Sequence, residues 1–202
     1  STHRYGYRRD WCRVGHERLI MAPHTPFSPP TESFWLFAYG SLMWQTDFPF
    51  KEQHLATIYG YHRALCIYSL TYRGTEQNPG LVFGLDEGGT TQGIVFKIST
   101  EDVAEVYEKI HAREMVSNVY QPEWVSCHLD DGADATVQAL AYVADHSNQQ
   151  YAGALSDDDT VRLVHAGHGN AGPCTDYVLN TDAHLREIGV CDPMLQRIAG
   201  KL

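Results

Sequence analysis

A chain of 202 residues, 43% apolar and 11% aromatic, has the material for one well-filled core, and a single domain is expected. A formal net charge of −10 at pH 7 argues against a nucleic-acid or anionic-membrane partner, since both need a basic face that displaces counterions. Five cysteines, odd in number, scattered and without CxxC spacing, suggest neither a disulfide framework nor a thiolate metal site, and they fit a reducing cytoplasm; no apolar run is long enough to span a bilayer.

In chain order, Arg4, Arg8, Arg9, Arg13 and Arg18 precede a turn-rich stretch through Pro23, Pro26, Pro29 and Pro30. Residues 1–33 therefore read as a flexible N-terminal extension, and 34–202 as the domain. Asp10, Glu17 and the prolines interrupt the amphipathic helix that an organelle transit peptide would need, and Met21 is a candidate natural start. Short apolar, aromatic and β-branched runs then predict strands at 34–39, 62–69, 81–85, 93–98, 124–129 and 137–143. Between the fourth and fifth, Thr100 caps a helix with Val103, Val106, Tyr107 and Ile110 at helical spacing, ending around 111–114. The last third reads as helical: Ser156 with Asp159 resembles a capping box, Gly172-Pro173 opens a second helix that Gly189 closes, and Asp192-Pro193 starts a third. The expected class is α+β: a curled antiparallel or mixed sheet approaching a small barrel around a pocket, with an inserted helix and C-terminal helices.

The first predicted strand runs into Tyr39-Gly40-Ser41-Leu42-Met43, a small-residue turn whose successive N–H groups can converge as an anion nest. Alone, strand-Gly-Ser is commonly just a tight turn. The glycines match neither GxGxxG nor a Walker-type GK[ST].

Several separated blocks, in order, resemble the ChaC family of γ-glutamylcyclotransferases. They are Tyr39-Gly40-Ser41-Leu42 with Trp44 and Asp47-Phe48-Pro49; Tyr72-Arg73-Gly74-Thr75 with Pro79-Gly80-Leu81-Val82 and Gly93-Ile94-Val95-Phe96; Ala112-Arg113-Glu114-Met115 through Tyr120; and Gly172-Pro173-Cys174-Thr175-Asp176-Tyr177 with Asn180-Thr181 and His184-Leu185. The YGSL block is shared by γ-glutamylcyclotransferases broadly, whereas the Arg-Glu block and the C-terminal Tyr helix point to the ChaC branch. The resemblance implies a cytoplasmic lyase, without cofactor or metal, that cleaves glutathione to 5-oxoproline and cysteinylglycine. Glu114 takes the position of the family's catalytic glutamate, Tyr39, Gly40, Ser41, Leu42 and Met43 those that bind the γ-glutamyl group, and Tyr177 a pocket tyrosine. Arg73 is a secondary candidate, for the substrate's glycine carboxylate. The sequence departs from many relatives after the glutamate, where residues 115–119 replace a glycine-containing loop.

Cyclotransfer needs no external nucleophile, because the substrate's own α-amine attacks its γ-carbonyl. Holding the chain in attack geometry supplies much of the rate, since such reactions reach effective molarities of about 10⁵ M or more. A carboxylate near both nitrogens can take the proton from the α-ammonium and give it to the leaving nitrogen, best with a pKa raised by burial. Read without the family, Glu114 is a helix-end surface charge beside Arg113, Tyr39 a strand-end core aromatic, and Tyr177 the inward face of its helix. Other readings are γ-glutamyl amino acids or amines as substrates, and a non-catalytic γ-glutamyl or carboxylate-binding module. A cysteine-nucleophile amidohydrolase would use Cys174 with His165 or His168. The same three residues are the nearest approach to a metal set, set in a glycine-rich turn without a fourth ligand.

Overall fold

The computed structural model describes residues 26–132 and 134–202. Five strands close a barrel: β1 (Phe34–Ala38), β2 (Glu52–Ser69), β3 (Gly80–Ile98), β4 (Tyr120–Leu129) and β5 (Thr136–Ala144), in the order β1-β3-β2-β4-β5. β1 lies antiparallel to β3, with Phe34 opposite Ile98 and Ala38 opposite Ile94, and parallel to β5, with Leu36 opposite Leu140. The parallel contact closes the barrel, so the sheet is mixed, and closure removes the exposed edges of an open sheet.

The predicted strands 81–85 and 93–98 are the two ends of one 19-residue strand, β3, and the predicted strand 62–69 is the second half of the 18-residue β2. Together they form a long ribbon that bends where its register shifts between Tyr59 and Tyr61. Gly60 (φ +90) sits at that shift, facing the Gly88-Gly89 pair. Only glycine adopts such φ values without cost, so these residues form a bulge that lets the ribbon bend while its pairing resumes on either side.

Helix α1 (Val103–Glu114) follows a 3₁₀ turn at Thr100–Asp102 and buries Val103, Val106 and Ile110, the face its spacing predicts. In α2 (Asp157–Ala166) the Ser156 side chain accepts from the Asp159 N–H, as the capping pattern predicts. A two-stranded ribbon, β6 (His168–Gly169) with β7 (Gly172–Pro173), interrupts what the sequence suggests is wholly helical. After it come α3 (Cys174–Glu187) and α4 (Pro193–Ala199), the latter capped by Asp192. One core joins the barrel interior, including Leu36, Phe96 and Leu140, to Val178, Leu185 and Leu195 of the C-terminal helices.

Most of the expected N-terminal extension, residues 1–25, lies outside the described residues. Its end docks: Phe27 stacks on Trp124 with ring centroids 6.2 Å apart, and the Trp124 indole donates to the Ser28 carbonyl at 3.2 Å.

Candidate active site

At the end of β1 the chain turns through Tyr39 and Gly40 into a 3₁₀ turn, Ser41–Met43. The Met43 N–H donates to the Gly40 carbonyl (2.9 Å), and those of Trp44 (3.2 Å) and Gln45 (2.8 Å) donate to the Ser41 carbonyl. The leading N–H groups of such a turn have no intrahelical acceptor, here those of Gly40, Ser41 and Leu42. Glu114, the last residue of α1, faces this turn, and Phe83, Tyr120, Tyr142 and Tyr177 from β3, β4, β5 and α3 complete the wall. With Phe37 and Ala38 of β1 they line an inner cavity of about 60 Å³. It adjoins an outer cleft of about 630 Å³, and Ser41, Glu114, Tyr120 and Tyr177 border both.

The Glu114 side chain is 18% exposed. Burial pushes its carboxyl above the usual carboxylate range, and the Arg113 guanidinium, 3.7 Å away, works in the opposite direction. Arg113 also donates to the Ser41 hydroxyl at 2.6 Å and to Gln45 Oε1 at 3.2 Å. The tyrosine hydroxyls are engaged one by one: Tyr39 donates to the Tyr142 carbonyl (2.9 Å), Tyr120 to the Phe83 carbonyl (2.7 Å), and Tyr142 Oη lies 3.1 Å from His111 Nδ1. Tyr177 differs, because its hydroxyl accepts from the Phe83 N–H at 3.1 Å and its own proton has no protein acceptor among the described residues. Burial raises the Tyr39 and Tyr177 phenols above their ordinary pKa, so both are neutral hydrogen-bond donors.

Of the residues singled out from sequence, Tyr39, Gly40, Ser41, Leu42, Glu114 and Tyr177 come together on the inner cavity. Arg73 lies on the outer cleft, its Nη1 donating to the Pro173 carbonyl at 3.1 Å and its guanidinium 5.4 Å above the Tyr177 ring. Met43 is buried in the core, 7% exposed, and lines neither space. Sequence reasoning passed over Phe83 and Tyr142 as strand core and met Tyr120 only as the end of a matched block. A hydroxyl inside the apolar run Leu140-Ala141-Tyr142-Val143 was the available signal, since a buried tyrosine needs a polar partner.

Cys174 is fully buried, its thiol donating to the Leu81 carbonyl (3.1 Å) and accepting from the Leu81 N–H (3.3 Å). Burial pushes the thiol up, away from the thiolate a nucleophile needs, while His165 and His168 are exposed. Among the described residues no group of three or more His, Cys, Asp and Glu side chains is placed to hold a metal. In the loop after Glu114, Asn118 takes φ 52, the left-handed conformation that asparagine tolerates best after glycine. Its carbonyl accepts from the Asn148 side chain at 3.0 Å.

The sequence model of the family described as ChaC-like protein matches residues 34–201. The chain belongs to the ChaC-like family. Among similar proteins, the glutathione-specific γ-glutamylcyclotransferase of Escherichia coli (strain K12) is 32% identical over 164 residues, covering 81% of this chain and 70% of that protein. The glutathione-specific γ-glutamylcyclotransferase 1 of Homo sapiens is 29% identical over 167 residues, covering 82% and 74%. The fold is that of the γ-glutamylcyclotransferases. A crystal structure of the yeast γ-glutamyl cyclotransferase specific to glutathione superposes with a TM-score of 0.75 at 20% identity, covering 84% of this chain and 95% of that one.

Proposed function

We propose that this ChaC-like chain is a γ-glutamylcyclotransferase, a lyase that cleaves glutathione to 5-oxoproline and cysteinylglycine. The observation that carries the reading is a half-buried carboxylate, Glu114, facing the backbone of the Tyr39-to-Leu42 turn across a small inner cavity that opens onto a much larger cleft. The two spaces correspond to the two halves of the substrate: a γ-glutamyl head inside, a cysteinylglycine leaving group outside. The glutathione specificity for which the Escherichia coli and human relatives are named supports glutathione as that substrate.

In this reading the turn's N–H groups hold the α-carboxylate, which folds the glutamyl chain so that its α-nitrogen faces its own γ-carbon. Glu114 accepts a proton from the α-ammonium, freeing the lone pair that forms the new C–N bond. The Tyr177 hydroxyl, with its proton uncommitted, donates to the oxyanion that develops on the γ-oxygen. Glu114 then returns its proton to the cysteinyl nitrogen as the old C–N bond breaks. The second ammonium proton, acidified as the lactam forms, ends on the released amine. Arg73, on the outer cleft, pairs with the glycine carboxylate.

The described part of the chain has no helix long and apolar enough to cross a membrane. Free thiols at Cys66, Cys127, Cys174 and Cys191 support a reducing, cytoplasmic setting.

The test is incubation of the purified protein with reduced glutathione, following 5-oxoproline and cysteinylglycine by mass spectrometry beside the Glu114→Gln variant. Both products from the parent and neither from the variant are expected. Free glutamate in place of 5-oxoproline would mean hydrolysis and overturn the cyclotransferase reading.

A further inference from the structure

Arg63 stands on β2, 2% exposed and absent from the inner cavity wall, yet it reaches the turn that carries Gly40 and Ser41. Its Nε donates to the Tyr39 carbonyl at 2.6 Å and its Nη2 to the Gln92 carbonyl at 2.7 Å. Its Nη1 donates to the Asp192 carboxylate at 2.7 Å and to the Thr91 hydroxyl at 3.3 Å. Asp192 is the N-cap of α4, and its other oxygen accepts from the Leu195 N–H at 3.0 Å. One planar fork thereby ties the end of β1, the Thr91-Gln92 stretch of β3 and the start of the last helix to a single point.

Stability alone does not call for this arrangement. Burying an ion pair desolvates both charges, and an apolar pair of similar volume is often as stable or more so. What an apolar pair cannot do is hold a carbonyl. In a trans peptide the C=O and the following N–H point in opposite directions, so fixing the Tyr39 carbonyl on Arg63 fixes the Gly40 N–H on the other side of the same plane. Gly40 lines the inner cavity and Arg63 does not. Tyr39 is held at its far end as well, through its hydroxyl on the Tyr142 carbonyl.

We propose that Arg63, backed by Asp192, is a positioning residue that orients the Tyr39-Gly40 peptide and with it the backbone donors of the turn. This rests on the turn's assigned role in holding the γ-glutamyl carboxylate. Without the clamp the peptide plane is free to rock, and displacements of about 1 Å at a reacting geometry cost on the order of 10²-fold in rate.

The experiment is the paired replacement Arg63→Met with Asp192→Leu, which removes both charges and leaves no orphan ion. Three quantities are measured: the melting temperature, kcat and KM for glutathione, and amide exchange at Met43 and Gln45, whose N–H groups close the turn. The expected result is a folded protein in which kcat/KM falls at least about 30-fold. Exchange at those two amides speeds up at least about tenfold while barrel amides keep their protection. Unchanged exchange overturns the proposal whatever the kinetics do, and faster exchange with parental kinetics overturns its tie to the substrate. If the parent itself does not turn over glutathione, the functional reading falls, and exchange still decides whether Arg63 positions the turn. Should the pair fail to fold, Arg63→Lys is measured in the same ways. It keeps a cation beside Asp192 but lacks the fork that reaches the Tyr39 and Gln92 carbonyls at once, so unchanged exchange there overturns the proposal.

Discussion

Arg113 and Ser41, 72 positions apart in sequence, are joined by a 2.6 Å hydrogen bond, and the same guanidinium stands 3.7 Å from Glu114. One side chain therefore braces the turn and tempers the carboxylate opposite it. As a base Glu114 must be ionised, so kcat/KM declines as pH falls through its pKa, which burial has moved above the ordinary carboxylate range. Arg113 opposes that shift. Arg113→Met is expected to move the acidic limb of the kcat/KM profile to higher pH, measured against the parent in matched buffers; a limb that stays in place would remove Arg113 from the electrostatics of the site.

Glu114→Gln is nearly isosteric but cannot take a proton at working pH. A loss in kcat of about 10²-fold or more is expected, with the glutathione dissociation constant held within a few-fold. Linkage adds an effect on stability. Because burial raises the folded-state pKa, the folded protein holds the Glu114 proton more tightly than the unfolded chain. That contribution is full below the unfolded pKa and is lost as pH rises through the folded one. The variant should therefore melt at a higher temperature than the parent at neutral pH, and calorimetry should show the gap closing as pH drops below the usual carboxylate range.

Gly93 lies on β3 opposite Ala56 and next to Ile94, the partner of Ala38 on β1. A Cβ there would strike the Ala38 carbonyl oxygen and come within 2.8 Å of the Phe37 ring. Both neighbours belong to the strand that delivers Tyr39. Gly93→Ala is expected to cost about 1–3 kcal/mol by overpacking and to lower turnover by displacing the turn. Urea denaturation gives the first and a glutathione assay the second; a protein of parental stability would show that β1 can shift without penalty.

What the sequence made legible was mostly local. The α1 apolar spacing, the Ser156 and Asp192 caps and the closing Gly189 (φ +78) each act within a few residues, and each stands in the structure where its chemistry predicts. The first half of β2 escaped because Glu52, Gln53 and His54 dilute its alternation and Gly60 resembles a strand end. The Gly88-Gly89 pair likewise resembles a turn, but cross-strand partners on β2 carry the ladder past the bend. The site divides in the same way. The YGSL and Arg-Glu blocks were visible as motifs, whereas Tyr142, Phe83 and the Arg63 clamp are defined by barrel closure, which no local period encodes.

Cys174 bridges α3 to β3 through the Leu81 backbone, which gives a buried thiol a structural role. Cys174→Ala should keep kcat near the parental value and cost about 1–3 kcal/mol of stability. Brief treatment of the native protein with iodoacetamide should label exposed Cys191 ahead of buried Cys66, Cys127 and Cys174, leaving turnover intact. Loss of activity in step with Cys174 labelling would restore the nucleophile reading.

Arg73 offers a test of how the substrate lies, because its partners in the free protein explain only part of its placement. Its Nη1 reaches the Pro173 carbonyl and its guanidinium covers the Tyr177 ring, yet it lines the outer cleft, where the cysteinylglycine half would sit. A charge-assisted hydrogen bond to a carboxylate is worth about 1.5–3 kcal/mol, which corresponds to roughly 10- to 100-fold in affinity. Arg73→Gln is therefore expected to raise KM for glutathione by that factor with little change in kcat. A purely structural role, supporting Tyr177, would instead lower kcat for every substrate alike. The discriminating measurement uses glutathione esterified at its glycine carboxylate. With Arg73 on that carboxylate, the ester is already handicapped in the parent and the substitution costs it almost nothing, whereas an equal loss on acid and ester would take Arg73 out of substrate binding.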